Sequence, residues 1–312
     1  NFSLCYNSGK VVTTTNNKSL MRNKIASLGL DNPLYFTIPF QVSGDEASCD
    51  GNKTGNFPCI VKPVDSSAGR GISICNTPAD LEECVTSAIE ASEEGLAIVE
   101  SIIDGPQFSI ETLSFNGEHA IIAVVAQTMD LKEKHVEVGH ILPAPISNKM
   151  HSILVEYALK LLDGFEIQFG ACHIEVRIVG KKIYTLDFAS RMGGWRDVMI
   201  ESILGNGYID AFIKSHLPEE AKIQKLAACY EPLSENSFCV ARMVFTFEDQ
   251  LLLDDLLKEG KCEFDSVDRV MLEFRSSTLK SSLSDSAGHF LYKSDLSNER
   301  LLVTKYCCVD LT

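Results

Sequence analysis

Apolar and polar positions along the chain follow two rhythms, one close to every third or fourth residue and one strictly alternating. Residues 18–29 have helical spacing, with Leu20, Ile25 and Leu28 on one side, Lys18, Arg22 and Lys24 left to be polar, and Gly29 as the stop. Just before them, the β-branched run at 11–15 reads as a strand, and 43–57 is a polar, Gly-rich loop without periodicity. Residues 59–62 and 71–74 read as two short strands joined by the small-residue loop VDSSAGRG. Thr77, with Asp80 and Glu82 in the first turn, opens an amphipathic helix predicted to run to about Gly95.

Strands dominate next. Residues 97–103 form an apolar run, and 108–115 followed by Asn116-Gly117 and 119–127 is a strong hairpin signal, because Asn-Gly suits the two positive φ angles of a type I′ turn. A helix over 151–162, strands over 170–179 and 182–190, and a helix over 198–212 interrupted by Gly205 and Gly207 follow. After Pro232 the pattern returns to strands at 238–247 and 267–274, then a Ser-rich stretch and a last strand near Val309, where Cys307 and Cys308 would lie half-buried. There is no internal repeat. The class is α+β.

Composition narrows the choice of partner. At 312 residues and 45% hydrophobic, the chain can bury a sizeable core without staples. A formal charge of −15 is an unfavourable field for a nucleic-acid backbone or an anionic membrane, so neither is expected as the partner; small phosphorylated ligands remain open, since basic groups and backbone N–H groups can gather locally. Eleven cysteines without a CxxC pair suit reduced thiols in a cytoplasmic protein. The longest apolar run, 120–126, is too short to span a bilayer, and residues 1–10 lack a signal-peptide layout. Because the chain enters structured sequence almost at once, residues upstream of Asn1 are expected to be missing.

Chemistry gathers in two places. In ACHIEVRIVG and KKIYTLDFAS, a short turn centred on Lys181 would make residues whose numbers sum to 362 cross-strand neighbours, so that Glu175 faces Asp187. Side chains alternate, so His173, Glu175 and Arg177 share one face, with Asp187, Ala189 and Arg191 opposite. Opposed carboxylates on an inward face need a cation or a shared proton, and a divalent metal held by one or two carboxylates plus phosphate oxygens meets that need; two solvated acids on an exposed hairpin are the plain alternative. The second place is Lys62, a strand lysine followed by Ser66, Ser67, Gly69 and Gly71, whose small residues let backbone N–H groups approach phosphate oxygens. An ordinary turn is the alternative there.

The order of these segments resembles a family. NKSLMRNKIASLGL, PCIVKPVDSSAGRG, IVESIIDGPQFSIE, VEVGHILPA and HIEVR through LDFASRMGGW, with twelve residues from Glu175 to Asp187, are similar to the ATP-grasp carboxylate–amine ligases and, within them, to bacterial L-amino-acid ligases that make dipeptides. The resemblance implies ATP and Mg²⁺, with Mn²⁺ as a substitute. It makes Lys18 and Lys62 the phosphate-contacting lysines, Ser67, Gly69 and Gly71 the loop over the triphosphate, and Glu100, Ile102 and Ile103 a hinge whose backbone reads adenine. Asp104 would meet the ribose, Glu111 would sit close to the phosphates and lysines, and Glu175 and Asp187 would be the metal ligands. By the same resemblance Glu137, His140, Arg191, Gly194 and Trp195 line the substrate pocket; Arg191 holds a carboxylate or acyl-phosphate oxygen, His140 or Glu137 orients or deprotonates the amine, and Trp195 limits side-chain size. The sequence departs from the family's Glu-x-Asn-x-Arg: Asp187 stands where Glu is common, and Ala189 removes a carbonyl ligand.

The implied architecture is an ATP-grasp fold in four parts: a linker and first helix (1–33), a small α+β lid (34–103), a larger antiparallel-sheet half with the metal and substrate site (104–237), and a C-terminal β-rich part (238–312) completing the pocket wall. The family's N-terminal α/β domain has no counterpart in this sequence; it would be removed or supplied by another chain, and a homodimer is a further option. The implied activity is ATP-dependent amide formation through an acyl phosphate, with ADP and phosphate released and amino acids as the carboxylate and amine. A ligase for a non-amino-acid carboxylate and a nucleotide-binding module without ligase activity are the alternatives.

Overall fold

The computed structural model describes residues 4–39, 57–67, 69–129, 136–205, 207–217, 238–267 and 286–294. The predicted loop before Phe57, the strand beyond Val267 and the strand carrying Cys307 and Cys308 lie outside them. Among the described residues the seven cysteines are free thiols, and no helix is long and apolar enough to cross a membrane.

The chain opens on two helices, α1 (Gly9–Asn16) and α2 (Lys18–Ser27). The strand expected over 11–15 is thus a helix. Ser8 caps it by accepting from Val11 N, and Val11 and Thr15, one turn apart, fill its buried face, so packing outweighs β-branched propensity. In α2 the expected faces hold in part: Ile25 is buried and Leu28 packs on the core, but Lys18 and Arg22 are buried too, beside Met21, while Leu20 is 40% exposed. Two cations point inward because carboxylates wait for them, as described below. Gly29, at φ +68°, ends the helix, and Leu30 N reaches back to Ile25 O.

A four-stranded antiparallel sheet follows. Its strands are β1 (Tyr35–Pro39), β2 (Cys59–Pro63), β3 (Ser73–Cys75) and β4 (Leu96–Ser101), in the order β1-β4-β2-β3. Helix α3 (Leu81–Glu90), entered through a Thr77–Asp80 capping box and a 3₁₀ turn, covers it with Leu81, Val85 and Ala88 against Val61, Ala97 and Val99.

The larger sheet contains β5 (Gln107–Phe115), β6 (Glu118–Met129), β7 (Glu137–Leu142), β8 (Phe169–Val179), β9 (Lys182–Ala189), β10 (Phe238–Met243), β11 (Cys262–Asp265) and β12 (His289–Ser294). All pairs are antiparallel, in the order β11-β12-β10-β7-β6-β5-β8-β9. The predicted hairpin is β5–β6, with Asn116 and Gly117 at φ 54° and 78°. Helix α4 (Asn148–Gly164) packs Leu154, Ala158 and Leu161 on one face, against Phe108, Ile110 and Ile174. On the other face α5 (Arg196–Leu204) and α6 (Tyr208–Lys214), separated at Gly205 and Gly207 as their glycines predicted, pack Met199, Ile200 and Tyr208 against Leu113, Val125 and Ala171. A further helix, α7 (Phe247–Lys258), interrupts the C-terminal strands. Because β10 pairs with β7, residues 238–243 continue the central sheet.

Candidate active site

The acid pair is real, and its register is reached by a route that counting alone does not show. The β8–β9 turn is the two-residue Gly180–Lys181, so the pairs nearest it, from Val179↔Lys182 to Val176↔Thr185, sum to 361 rather than 362. A β-bulge then inserts Leu186, and from Glu175↔Asp187 onward the sum is 362. Glu175 and Asp187 therefore face each other as expected, and both line a cavity of about 580 Å³.

Cations meet both acids. Lys18 Nζ lies 3.2 Å from Asp187 Oδ1 and donates to Ser66 O at the start of the small-residue loop. His173 Nε2 is 3.0 Å from Glu175 Oε1, while its Nδ1 is 2.7 Å from Glu111 Oε1. Burial alone would discharge this imidazole, but the two carboxylates hold its proton up to about 10. In turn, the hydrogen bond and charge of His173 overcome the burial of Glu175 and keep it anionic.

The second lysine behaves differently. Lys62 Nζ is 2.7 Å from Glu100 Oε2, and Arg22 reaches the same carboxylate through Nε at 2.5 Å and Nη2 at 3.2 Å. Burial lowers the Lys62 pKa, and the two cations hold Glu100 down at about 2 against its own burial. Lys62, Ser66, Ser67 and Gly69 line the cavity. Gly71 does not: a Cβ there would stand 2.5 Å from Ala91 Cβ and 2.9 Å from Pro63 Cγ, so its smallness serves packing around the small sheet. Glu100, Ile102, Ile103 and Asp104 border one end of the cavity, with apolar walls from Ile60, Ile74 and Leu186. The hinge is pinned to β8, for Arg177 Nη1 donates to Ile103 O at 2.7 Å and Nε to Gln107 Oε1 at 2.8 Å.

Glu111 does not line the cavity: it is fully buried, 2.7 Å from His173 Nδ1, and it accepts from Arg196 Nε at 3.1 Å and Gly193 N at 3.3 Å. These contacts hold its carboxyl at about 2 in spite of burial. His173 as a bridging cation and Arg196 as its partner went unassigned in the sequence. The first carried a signal, since it shares a face with Glu175, and the second lay beside Trp195 in RMGGWR.

At the other end stand Glu137, His140, Arg191, Gly194 and Trp195, all lining the cavity. Gln127 Nε2 bridges Glu137 Oε1 at 2.5 Å and Glu175 Oε1 at 3.2 Å. Burial and the Glu175 charge raise the Glu137 carboxyl. His140 Nδ1 accepts from Trp195 Nε1 and Arg196 Nη1, both at 3.2 Å and both obligate donors. Its proton therefore sits on Nε2, 3.3 Å from Glu137 Oε2, and burial with the Arg196 charge keeps the ring neutral. With its lone pair taken, His140 is no base in this arrangement, and its Nε2, though near Glu137, makes no hydrogen bond among the described residues. Trp195, at φ +44°, stacks on His289 of β12 with ring centroids 4.5 Å apart, which joins the C-terminal strands to the pocket wall.

The cavity thus gathers apolar walls, two lysines, two opposed acids and a polar group around Glu137 and Trp195. A family model for an ATP-grasp domain matches residues 55–198. The chain carries an ATP-grasp domain. An L-amino acid ligase from Bacillus licheniformis superposes on this chain with a TM-score of 0.70 at 18% identity, over 95% of this chain and 72% of that one. A carboxyaminoimidazole ribonucleotide synthase from Aspergillus clavatus, complexed with ATP, gives 0.69 at 14% identity over 96% and 76%. In sequence, formate-dependent phosphoribosylglycinamide formyltransferase of Bacillus subtilis (strain 168) is 49% identical over 49 residues, 15% of this chain and only 13% of that protein. The ATP-grasp fold and the α+β class expected from the motifs are thereby established.

The site's residues suit a magnesium nucleotide. Among the described residues no three His, Cys, Asp or Glu side chains gather as a ready-made metal cage. Two cavity-facing carboxylates with room beside them are what Mg²⁺ needs when phosphates and water complete its shell.

Proposed function

We propose that the protein is an ATP-dependent carboxylate–amine ligase that forms an amide, with two amino acids as substrates. The observation that carries this is one continuous cavity holding the opposed Glu175–Asp187 pair, the two lysines and, at its far end, the Glu137–His140–Trp195 group. Adenine enters the slot between Ile60, Ile74 and Leu186 against the backbone of residues 100–103. Lys18 and Lys62 bind the phosphates, and Glu175 and Asp187 hold Mg²⁺ or Mn²⁺. The ion supplies charge neutralisation for the phosphate oxygens. The substrate carboxylate takes the γ-phosphoryl group, ADP departs, and the amine then displaces phosphate to form the amide. Arg191 stabilises the oxyanion of that second step. Glu137, held by Gln127, anchors the ammonium group or takes its proton. The sheet of β1–β4 acts as a lid excluding water that would hydrolyse the activated carboxylate.

A second reading keeps the nucleotide end and changes the acid, as the fold similarity to a carboxyaminoimidazole ribonucleotide synthase invites. Phosphate release from MgATP across amino acids singly and in pairs, and across other carboxylates, separates the two. Release that needs two amino acids and is lost in Glu137→Gln supports a dipeptide ligase. Release with a non-amino-acid carboxylate supports the second reading, and nucleotide binding with no release under any combination contradicts both.

A further inference from the structure

Strand β9 carries one residue more than β8 between the hairpin turn and the acid pair, and everything at the site depends on where that residue is placed. Had the pairing near the turn continued, Glu175 would face Leu186, and Asp187 would fall on the opposite side of the sheet. The Leu186 bulge prevents this and brings two successive side chains, Leu186 and Asp187, to the cavity.

A bulge leaves backbone groups outside the ladder, and buried groups of that kind need partners. Arg22 supplies them. Its Nη1 donates to Thr185 O and its Nη2 to Leu186 O at 3.3 Å, the two carbonyls that flank the inserted step. The same guanidinium holds Glu100 of β4, at the hinge. One helical turn earlier on α2, Lys18 contacts Asp187 itself. Arg22 is wholly buried and does not line the cavity, so it can act on a ligand only through these neighbours.

We propose that Arg22 is a positioning residue for the cation-binding carboxylates: its planar fork fixes the Leu186 bulge that turns Asp187 toward Glu175, and ties that bulge to the hinge through Glu100. The inference rests on the reading of Glu175 and Asp187 as cation ligands. A lysine at this position would restore the charge opposite Glu100 but could not span both carbonyls and the carboxylate together.

The test is Mn²⁺ binding to the ADP complex by electron paramagnetic resonance, with metal-free ADP affinity and thermal unfolding measured in parallel. Arg22→Lys is expected to weaken Mn²⁺ by about tenfold or more in a protein that still folds, with an unfolding midpoint lowered by the carbonyl partners it loses. Mn²⁺ affinity within about twofold of the unaltered protein overturns the proposal. Asp187→Asn separates the two layers: if it leaves Mn²⁺ binding intact, the ligand assignment itself fails, whereas loss in Asp187→Asn with retention in Arg22→Lys defeats only the role of Arg22. Should Arg22→Lys not fold, Arg22→Gln combined with Glu100→Gln removes the buried charge imbalance; it is expected to lose Mn²⁺ where Glu100→Gln alone does not, and equal affinity in the two overturns the proposal.

Discussion

Two adjacent glycines in the site differ in one respect that a pair of substitutions can exploit. A Cβ on Gly193 would stand 2.6 Å from His173 Nδ1, 2.7 Å from Arg196 Cγ and 3.1 Å from Glu111 Oε1, whereas one on Gly194 would meet nothing within 4 Å. Neither residue has a positive φ, so alanine is tolerated by the backbone at both, and the difference is purely what the methyl strikes. Gly193→Ala must drive His173 or Arg196 aside by several tenths of an ångström, and His173 already sits at hydrogen-bond distance from two carboxylates. Overpacking costs about 1–3 kcal/mol. Losing one charge-assisted hydrogen bond adds roughly 1.5–3 kcal/mol. Together these give roughly 2.5–6 kcal/mol, which lowers the thermal midpoint of a chain this size by roughly 4–9 °C. Gly194→Ala should leave the midpoint unchanged and weaken only binding of the substrate, because Gly194 borders the cavity. Thermal unfolding of both variants, followed by circular dichroism, decides the matter. Equal midpoints for the two would refute the claim that His173, Glu111 and Arg196 form a rigid floor beneath the cavity.

Further expectations follow from the same contacts. Lys62→Met leaves Glu100 its two bonds to Arg22, so stability should fall by only about 1–3 kcal/mol in denaturant unfolding, while nucleotide affinity in calorimetry drops by an order of magnitude or more. Glu100 has its pKa lowered from 4.5 to about 2, so the stability it contributes is present above pH 4.5 and lost as pH falls toward 2, a loss of roughly 3 kcal/mol. Urea midpoints measured from pH 5 to pH 2 should therefore fall less steeply in Glu100→Gln. Trp195→Phe removes a donor to His140 Nδ1 and leaves a smaller ring beside His289, so the pocket should admit bulkier side chains, read as a changed order of preference across the amino-acid panel.

Local chemistry made much of this fold legible. Asn116-Gly117 named its own turn, the paired glycines at 205 and 207 marked the break between α5 and α6, and the alternation of His173, Glu175 and Arg177 placed three site residues on one face before any coordinates. What stayed hidden depended on distant partners. Nothing within residues 18–29 says that Lys18 and Arg22 turn inward, because the reason is Asp187 and Glu100, more than seventy residues away. The bulge at Leu186 leaves no mark in the sequence, and the pairing of the two acids was found by a count that placed the turn one residue differently. Glu111 is placed near the phosphates and lysines by the family resemblance alone; that His173, Arg196 and Gly193 claim it is visible only once β5, β8 and the start of α5 converge. Val11 to Thr15 reads as strand for a related reason, since the hydrogen bonds and packing that make it a helix come from Ser8 and the neighbouring elements.

The central claim is that a magnesium nucleotide is held between the opposed acids and the two lysines and that its γ-phosphoryl group is passed to a carboxylate. The most direct measurement is phosphate release from ATP and Mg²⁺ in the presence of paired amino acids, in the unaltered protein and in Glu175→Ala. The account predicts release that requires Mg²⁺ and both substrates and disappears in the variant. Release of equal rate in Glu175→Ala, in a protein whose unfolding is unchanged, would contradict it.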